Sequence, residues 1–506
     1  MIRNVHSMAC TVLSALCALS LAGCMVGPKY HAPAPPQIAA QNYKESTVNF
    51  QNEPGWKVAN PNAPMLQGNW WEVFHEPELN SLEDQLNINN QTIKEYFNQY
   101  MEARAVVAEA RAQFWPTITF SPAWNQQRTS SNLGKSSTYA HTGSTSTIWE
   151  APFDASWSPD LWGKIRREVQ SAEYAAQVSA ADLAGEKLTE QASLAEYYFE
   201  IRGQDELQVI LNQTVAADKA ALDATQGAYD AGTGDYIAVV EARTTLEAAQ
   251  SAATAVGLAR AQYEHAIAVL LGKVATDFSI PVRPMTYDPP PIPTGVPSEL
   301  LERRPDVAAA ERTLAEANAT IGIGYGAFFP QLTLSGTAGT QASALSQLAN
   351  LSSRFWSIGA SASQIIFDGG LYRAELHQYE ATYNADLASY RQTSLTAFQQ
   401  VEDALVATRN YSQQILEEQQ AVKDSQQYLD MEMQRYKTGV DPYVDVTIAQ
   451  TTLFSDQQAL NTLHVSDMMS AVELIQSLGG GWSTAQLPTP AQAGSQPAAS
   501  TYTLQK

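Results

Sequence analysis

Absences narrow this sequence before anything present in it does. Cysteine occurs only at Cys10, Cys17 and Cys24 of the 506 residues, so no disulfide staples the body of the chain and no Cys/His cluster offers a zinc site. Basic residues are scarce, 30 against 52 acidic, for a formal charge of −22. With no basic run, the footprint of a nucleic-acid binder is missing. The histidines after the start (His31, His75, His141, His265, His377, His464) are scattered, without His-Glu-x-x-His spacing. Gly322-x-Gly324-x-Gly326 precedes a strand pattern instead of following one, so it makes no dinucleotide turn. Catalysis, a metal and a cofactor all lack a candidate constellation. Proline is missing from Gly163 to Pro281 and again from Phe367 to Pro442. Each gap allows one uninterrupted helix; Lys164 to Ala231 alone is about 68 residues, or about 100 Å.

The start carries an address. Arg3 precedes an apolar run, Thr11 to Ala22, too short to span a bilayer and shaped like a signal-peptide core. It ends in Leu21-Ala22-Gly23-Cys24, which resembles the bacterial lipobox, cleaved before the cysteine and acylated on it. Ordinary cleavage nearby, with an idle cysteine, is the plainer alternative. Residues 1–23 are read as the signal and Cys24 as the lipidation site. Acyl chains there exceed the two-signal minimum for stable attachment to lipid. Met25, in place of Asp, resembles lipoproteins sorted to the outer membrane, which predicts an outer-membrane location.

Beyond it the chain is a duplication. Tyr229, Gly232, Tyr236 and Thr244-Thr245-Leu246 recur 207 positions later as Tyr436, Gly439, Tyr443 and Thr451-Thr452-Leu453. Each set reads as a hairpin between two helices, with Gly232 or Gly439 as the left-handed residue of the turn. In the second, Asp441 is a plausible N-cap and Pro442 the first helical residue. Residues 24–77, rich in proline, read as extended chain; 78–272 as the first repeat; 273–297 as a Pro-rich linker; 298–479 as the second repeat; and 480–506 as a loose tail. One helix is expected from Glu78 through Arg111 and another ending at Ala319. Val446, Leu453 and Leu460 form a heptad seam.

Period two enters after Phe114-Trp115-Pro116 and after Phe328-Phe329-Pro330, 214 positions apart. Ile118, Phe120 and Trp124 alternate with Thr117, Thr119, Ser121 and Asn125; Trp149, Ala151, Phe153, Ala155 and Trp157 alternate with Glu150, Asp154 and Ser156. Leu332 and Leu334, then Trp356, Ile358, Ala360 and Ala362, repeat the pattern. Such segments suit transmembrane barrel strands or a half-buried soluble hairpin; the lipobox favours the barrel. Four strands cannot close, and an open edge in lipid leaves backbone groups unpaired, so several copies must share one barrel. A dimer or a trimer reaches the minimum of about 8 strands. The fold class expected is therefore α+β, a shared β-barrel continued by a long helical tube.

The lipobox, Arg303-Arg304-Pro305-Asp306, the two Phe-aromatic-Pro strand openings, Asp160-Leu161-Trp162-Gly163 and Phe367-Asp368-Gly369-Gly370 together resemble the outer membrane factor (TolC-like) family, in its NodT/OprM-like lipoprotein branch. The resemblance implies a homotrimer with a 12-stranded barrel, four strands per chain, and a periplasmic coiled-coil tunnel. It also implies docking to a periplasmic adaptor (membrane fusion protein) and an inner-membrane pump of the resistance-nodulation-division type. The function implied is a passive exit duct for drugs, metals or other toxic compounds. A duct for secreted proteins, or a non-conducting scaffold lipoprotein, are the rival readings.

The resemblance further places a periplasmic gate at the hairpins. Asp445 matches an acidic ring residue, while Ile448 stands where a second acid occurs and Ala238 where the first hairpin has an aspartate, with Glu241 one turn on. Asp441 stands where some members carry an arginine. Tyr229 and Tyr436 match gate tyrosines, and Arg243 is a possible partner for an acid on a neighbouring hairpin. The plainer alternatives are a first-turn acid for Asp445, a cap for Asp441, aromatic packing of the helix end for the tyrosines, and an exposed arginine for Arg243.

Overall fold

Two helices of 67 residues dominate the chain, α3 (Lys164–Asp230) and α6 (Leu371–Lys437). They occupy the two proline-free stretches, and each spans about 100 Å. The computed structural model describes residues 25–33, 43–44, 68–130, 145–285, 289–290, 292 and 300–494; Cys24, the signal segment, and Ser298 and Glu299 lie outside them. In chain order the other main elements are α1 (Pro77–Asn89), α2 (Gln91–Ala112), β1 (Thr117–Phe120), β2 (Ala123–Arg128), β3 (Thr145–Trp157), α4 (Tyr236–Leu270), α5 (Pro305–Gly326), β4 (Gln331–Ala342), β5 (Arg354–Ser363) and α7 (Tyr443–Ser477). No described helix is long and apolar enough to cross a membrane.

Helices this long cannot stand alone, and each of the pair lies along its hairpin partner, α3 on α4 and α6 on α7. α3 also packs on α2, α5 and α7. The largest apolar core among the described residues sits midway along α3. Trp70, Trp71 and Phe74, just before the first repeat, and Leu79 and Leu86 at its start meet Tyr198 and Phe199 of α3, Ile267 of α4 and Val472 of α7. Beside it, Arg202 is fully buried; its Nη atoms donate to Glu78 (2.6 Å), Asp205 (3.1 Å) and the carbonyl of Pro281 (2.8 Å), while its Nε has no partner among the described residues. Arg283 pairs with Glu76, so the start of the linker is tied to the body by charge-assisted bonds.

The sheet runs β1-β3-β4-β5, all antiparallel, with β2 continuing the β1 lane against β3. The first expected strand is broken in two, but its register is not: Phe120 faces Phe153 and Ala123 faces Glu150. Pro152 cannot donate across the gap, although its carbonyl still accepts from the Ser121 amide at 3.2 Å. The register aligns the apolar residues of every lane on one face: Trp124 opposite Trp149, Phe153 opposite Ala338, and Ala338 opposite Trp356. On the other face the Thr337 hydroxyl donates to Asp154 at 2.7 Å. The apolar face is bare, with Ile358 83% exposed and Trp356 75% exposed.

Four expectations need correction. The helix expected from Glu78 to Arg111 breaks at Asn90, whose side chain accepts from the Ile93 amide at 2.9 Å and restarts the helix as α2. The helix expected to end at Ala319 runs on to Gly326, because missing side chains there admit neighbours. A Cβ on Gly322 would lie 2.6 Å from Arg167, and one on Gly324 2.9 Å from Tyr379. The tail is ordered to Gly494: Gln177 donates to the Pro488 carbonyl, Arg111 to that of Gly494, and Thr489 caps a last turn of helix. Asp441 caps nothing, since α7 starts at Tyr443 with Pro442 in the N-cap place.

Candidate functional site

Both hairpins turn by the same device. At Gly232 and Gly439 the backbone enters the left-handed region, φ 75° and 77°, where a side chain is strained. Each glycine amide donates to a tyrosine carbonyl, Gly232 to Tyr229 and Gly439 to Tyr436, both at 2.9 Å. The following amides, Thr233 and Val440, reach back to Ala228 and Arg435, completing two Schellman caps. Across each turn the tyrosines meet ring to ring at 5.2 Å, Tyr229 with Tyr236 and Tyr436 with Tyr443.

The two tips then diverge. Tyr236 is half exposed, whereas Tyr443 is buried in a cluster with Ala221 of α3, Ala242 of α4 and Val446 of α7. Ala238, Met433 and Tyr436 pack against the same cluster. All four long helices therefore meet at the second tyrosine pair. Burial, with Asp218 nearby, pushes the Tyr443 hydroxyl up to about 12.

An ion pair and a group of three carboxylates mark the second hairpin. Arg435 donates to both oxygens of Asp441, one bond at 3.0 Å, which holds the Asp441 carboxyl below its usual range. Glu432 lies one turn back and its carboxyl is raised, by desolvation first and by Asp441 next. Oxygens of Glu432, Asp441 and Asp445 lie within 4.8 Å of one another, the one acidic group among the described residues with spacing fit for a cation. Arg435 already supplies a positive charge there, so the cluster alone does not define a metal site.

Of the residues read as gate candidates, Asp445 and Asp441 are thus brought together, while Tyr436 packs in the apolar cluster around Tyr443. Glu241 is half-buried and contributes to the field at Tyr443. Ile448 points outward at 51% exposure, and Arg243 is exposed with no ion pair among the described residues. Sequence reasoning missed Arg435, Glu432 and Asp218. Arg435 and Asp441 stand six positions apart across a Gly turn, and that spacing was the available signal.

The outer membrane efflux protein family profile matches residues 82–273 and 296–480. The chain belongs to that family. A solvent efflux pump outer membrane protein of Pseudomonas putida, SrpC, is 30% identical over 475 residues, 92% of this chain and 97% of its own. The antibiotic efflux pump outer membrane protein ArpC of the same species is 27% identical over 470 residues, 92% and 95% of the two chains. Among solved structures, the outer-membrane channel OprN superposes with a TM-score of 0.80 at 27% identity, covering 91% of this chain and all of its own. The Campylobacter jejuni CmeC outer membrane channel gives 0.81 at 21% identity, a likeness of fold. This outer membrane efflux protein has the α+β fold of the trimeric channel-tunnels, and the resemblance read from its motifs holds. Its place is the outer membrane, with the long helices as the periplasmic tunnel.

Proposed function

We propose that three copies of the chain close one 12-stranded barrel and one helical tunnel, forming the passive exit duct of a tripartite efflux pump. The observation that carries the reading is the sheet: four lanes, a bare apolar face, two open edges, and 67-residue helices continuing from it. Four lanes bury no edge in lipid; three sets of four can close. The cargo class we propose is small toxic organic compounds, antibiotics and solvents, on the strength of the relatives' names. An adaptor and a resistance-nodulation-division pump would load the tunnel, and acylation at Cys24 would add an anchor to outer membrane lipids. The division into two repeats at 78–272 and 298–479, joined by 273–297, goes with this reading.

The gate we propose is the pair of hairpin tips, around Gly232 and Gly439. Asp445 would face the axis with its two symmetry copies, favouring cations in the neck, and Ile448, Tyr229, Glu241 and Arg243 would set the contacts between copies. The Arg435–Asp441 pair would stiffen the turn of the second hairpin. Purified protein in planar bilayers tests the duct: cation-selective conductance is expected, lowered in selectivity by Asp445→Ala. A protein that never conducts, with or without that change, sinks the reading. A deletion strain that keeps its tolerance of antibiotics and solvents would remove the cargo class.

A further inference from the structure

The two repeats are equivalent down to single hydrogen bonds. Passing from β1 to β4 adds 214 residues and from β3 to β5 adds 207. Under those shifts the β1–β3 partners Thr117↔Ser156 and Phe120↔Phe153 become Gln331↔Ser363 and Leu334↔Ala360, which are the partners found between β4 and β5. The Trp157 indole donates to the Phe114 carbonyl at 2.9 Å; its counterpart Gln364 donates to the Phe328 carbonyl at 3.1 Å.

The β3–β4 join is thus the contact between the last strand of one repeat and the first strand of the next. β5 is also a last strand, and β1/β2 is also a first strand, and these two are the sheet's open edges. We propose that β5 pairs antiparallel with β1/β2 of a second copy of this chain, in the register that the β3–β4 join dictates. Phe153↔Ala338 then becomes Ala360 opposite Trp124 of the second copy, and Ser156↔Ser335 becomes Ser363 opposite Ser121 of the second copy. The inference rests on the trimeric reading above and adds the residue register of its seams.

Two features fit this register. It sets apolar Ala360 beside apolar Trp124 and serine beside serine, whereas a slip of one residue would turn every side chain to the wrong face. The Ser121 amide points at β3, so the Pro122 nitrogen faces the seam and leaves it one ladder bond short, opposite Ala362. The second feature is an aromatic exchange. At the β3–β4 join Trp162 stacks on Phe329, centroids 4.9 Å apart, and donates to the Pro330 carbonyl at 2.8 Å. At the seam, the counterpart of Trp162 is Gly369 and that of Phe329 is Trp115, 76% exposed. A Cβ on Gly369 would meet nothing within 4 Å, and Phe367 beside it is 89% exposed. The indole has moved from the turn to the strand opening, and Gly369 leaves room for it.

The test is a disulfide across the seam. Ser121 and Ser363 would form a non-hydrogen-bonded pair, with Cα atoms about 4.5 Å apart, inside the range a disulfide accepts. Purified without reductant, Ser121→Cys/Ser363→Cys is expected to run as a covalent trimer on a denaturing gel. The parent chain, each single variant, and Ser121→Cys/Gly359→Cys, four residues out of register, are expected to run as monomers. Native size is measured on the same samples. A native trimer in which the Ser121/Ser363 pair stays monomeric under denaturation, or in which the out-of-register pair links, overturns the register alone. A native monomer throughout overturns the trimer and this register with it.

Discussion

Asp218 has lost its water without gaining a partner. Its carboxyl lies on α3 near the tip, 2% exposed, with one oxygen shielded from solvent and bonded to nothing. Burial raises it from the ordinary aspartate value of 3.8 to about 6. The folded tip therefore holds the proton more tightly than the opened tip does. Below about pH 3 both states are protonated and the residue costs nothing. As pH rises from about 3 to 6, the opened state ionises first, and stability falls until the folded state ionises too. The full shift corresponds to about 3 kcal/mol, and water reaching the tip as it breathes reduces this to about 1–3 kcal/mol. The second repeat already avoids the cost: the position 207 later is Ser425, whose hydroxyl returns to the Val422 carbonyl at 3.2 Å. Asp218→Ser and Asp218→Asn should both close the tip more firmly at pH 7.5 and leave it nearly unchanged at about pH 3. Amide hydrogen exchange near Gly232 and Gly439, corrected for its intrinsic pH dependence, reads this as about 5- to 100-fold more protection at pH 7.5. The carboxylates Glu432, Glu241, Asp441 and Asp445 are common to both proteins, so the difference between parent and variant isolates Asp218. Equal protection in parent and variants at pH 7.5 would refute the reasoning.

Three other outcomes are expected. Gly439→Ala meets open space and suffers only backbone strain, about 1–2 kcal/mol, whereas a Cβ at Gly479 would lie 2.1 Å from the Arg303 carbonyl oxygen; thermal unfolding should register a small loss for the first and little folded protein for the second. Arg435→Ala frees Asp441, so the Asp441 carboxyl should titrate at higher pH and the channel should open more often in bilayer recordings, an effect that fades at high salt because the pair is exposed. Ile358→Arg on the bare face should weaken membrane assembly by about 2–4 kcal/mol, while Ser357→Arg on the polar face should assemble and alter conductance; outer-membrane fractionation and bilayer recording separate the two.

The sequence revealed the parts governed by repetition or exclusion. α3 and α6 were legible because nothing between Gly163 and Pro281, or Phe367 and Pro442, could break a helix. The strand faces were legible because alternation admits one orientation per lane. Long-range polar contacts were not. Asn90 follows the Leu79-Leu82-Leu86 pattern with nothing to mark a break, and only its amide bonds to Glu190 (2.8 Å) and the Leu270 carbonyl (3.0 Å) show why the helix parts there. The tail looked loose because Pro, Ser and Ala have little to bury, yet it is held by its carbonyls, which every residue carries. At the hairpin tips the turn glycines Gly232 and Gly439 were readable. Arg435–Asp441 was hidden by expecting Asp441 to cap a helix that starts two residues later.

The open edges have a consequence for biogenesis. A lone copy in the periplasm carries two unlike sticky borders: the β1/β2 border is blunted by Pro122, and β5 has no proline. Unlike borders join head to tail, and such a chain of copies ends only when it bends into a ring or meets a copy that does not fit. Entry into lipid is then an event for the closed ring, not for its members. The rate of insertion should therefore climb more steeply than the amount of protein supplied, and a surplus of copies delivered before closure should favour strand-linked filaments over channels.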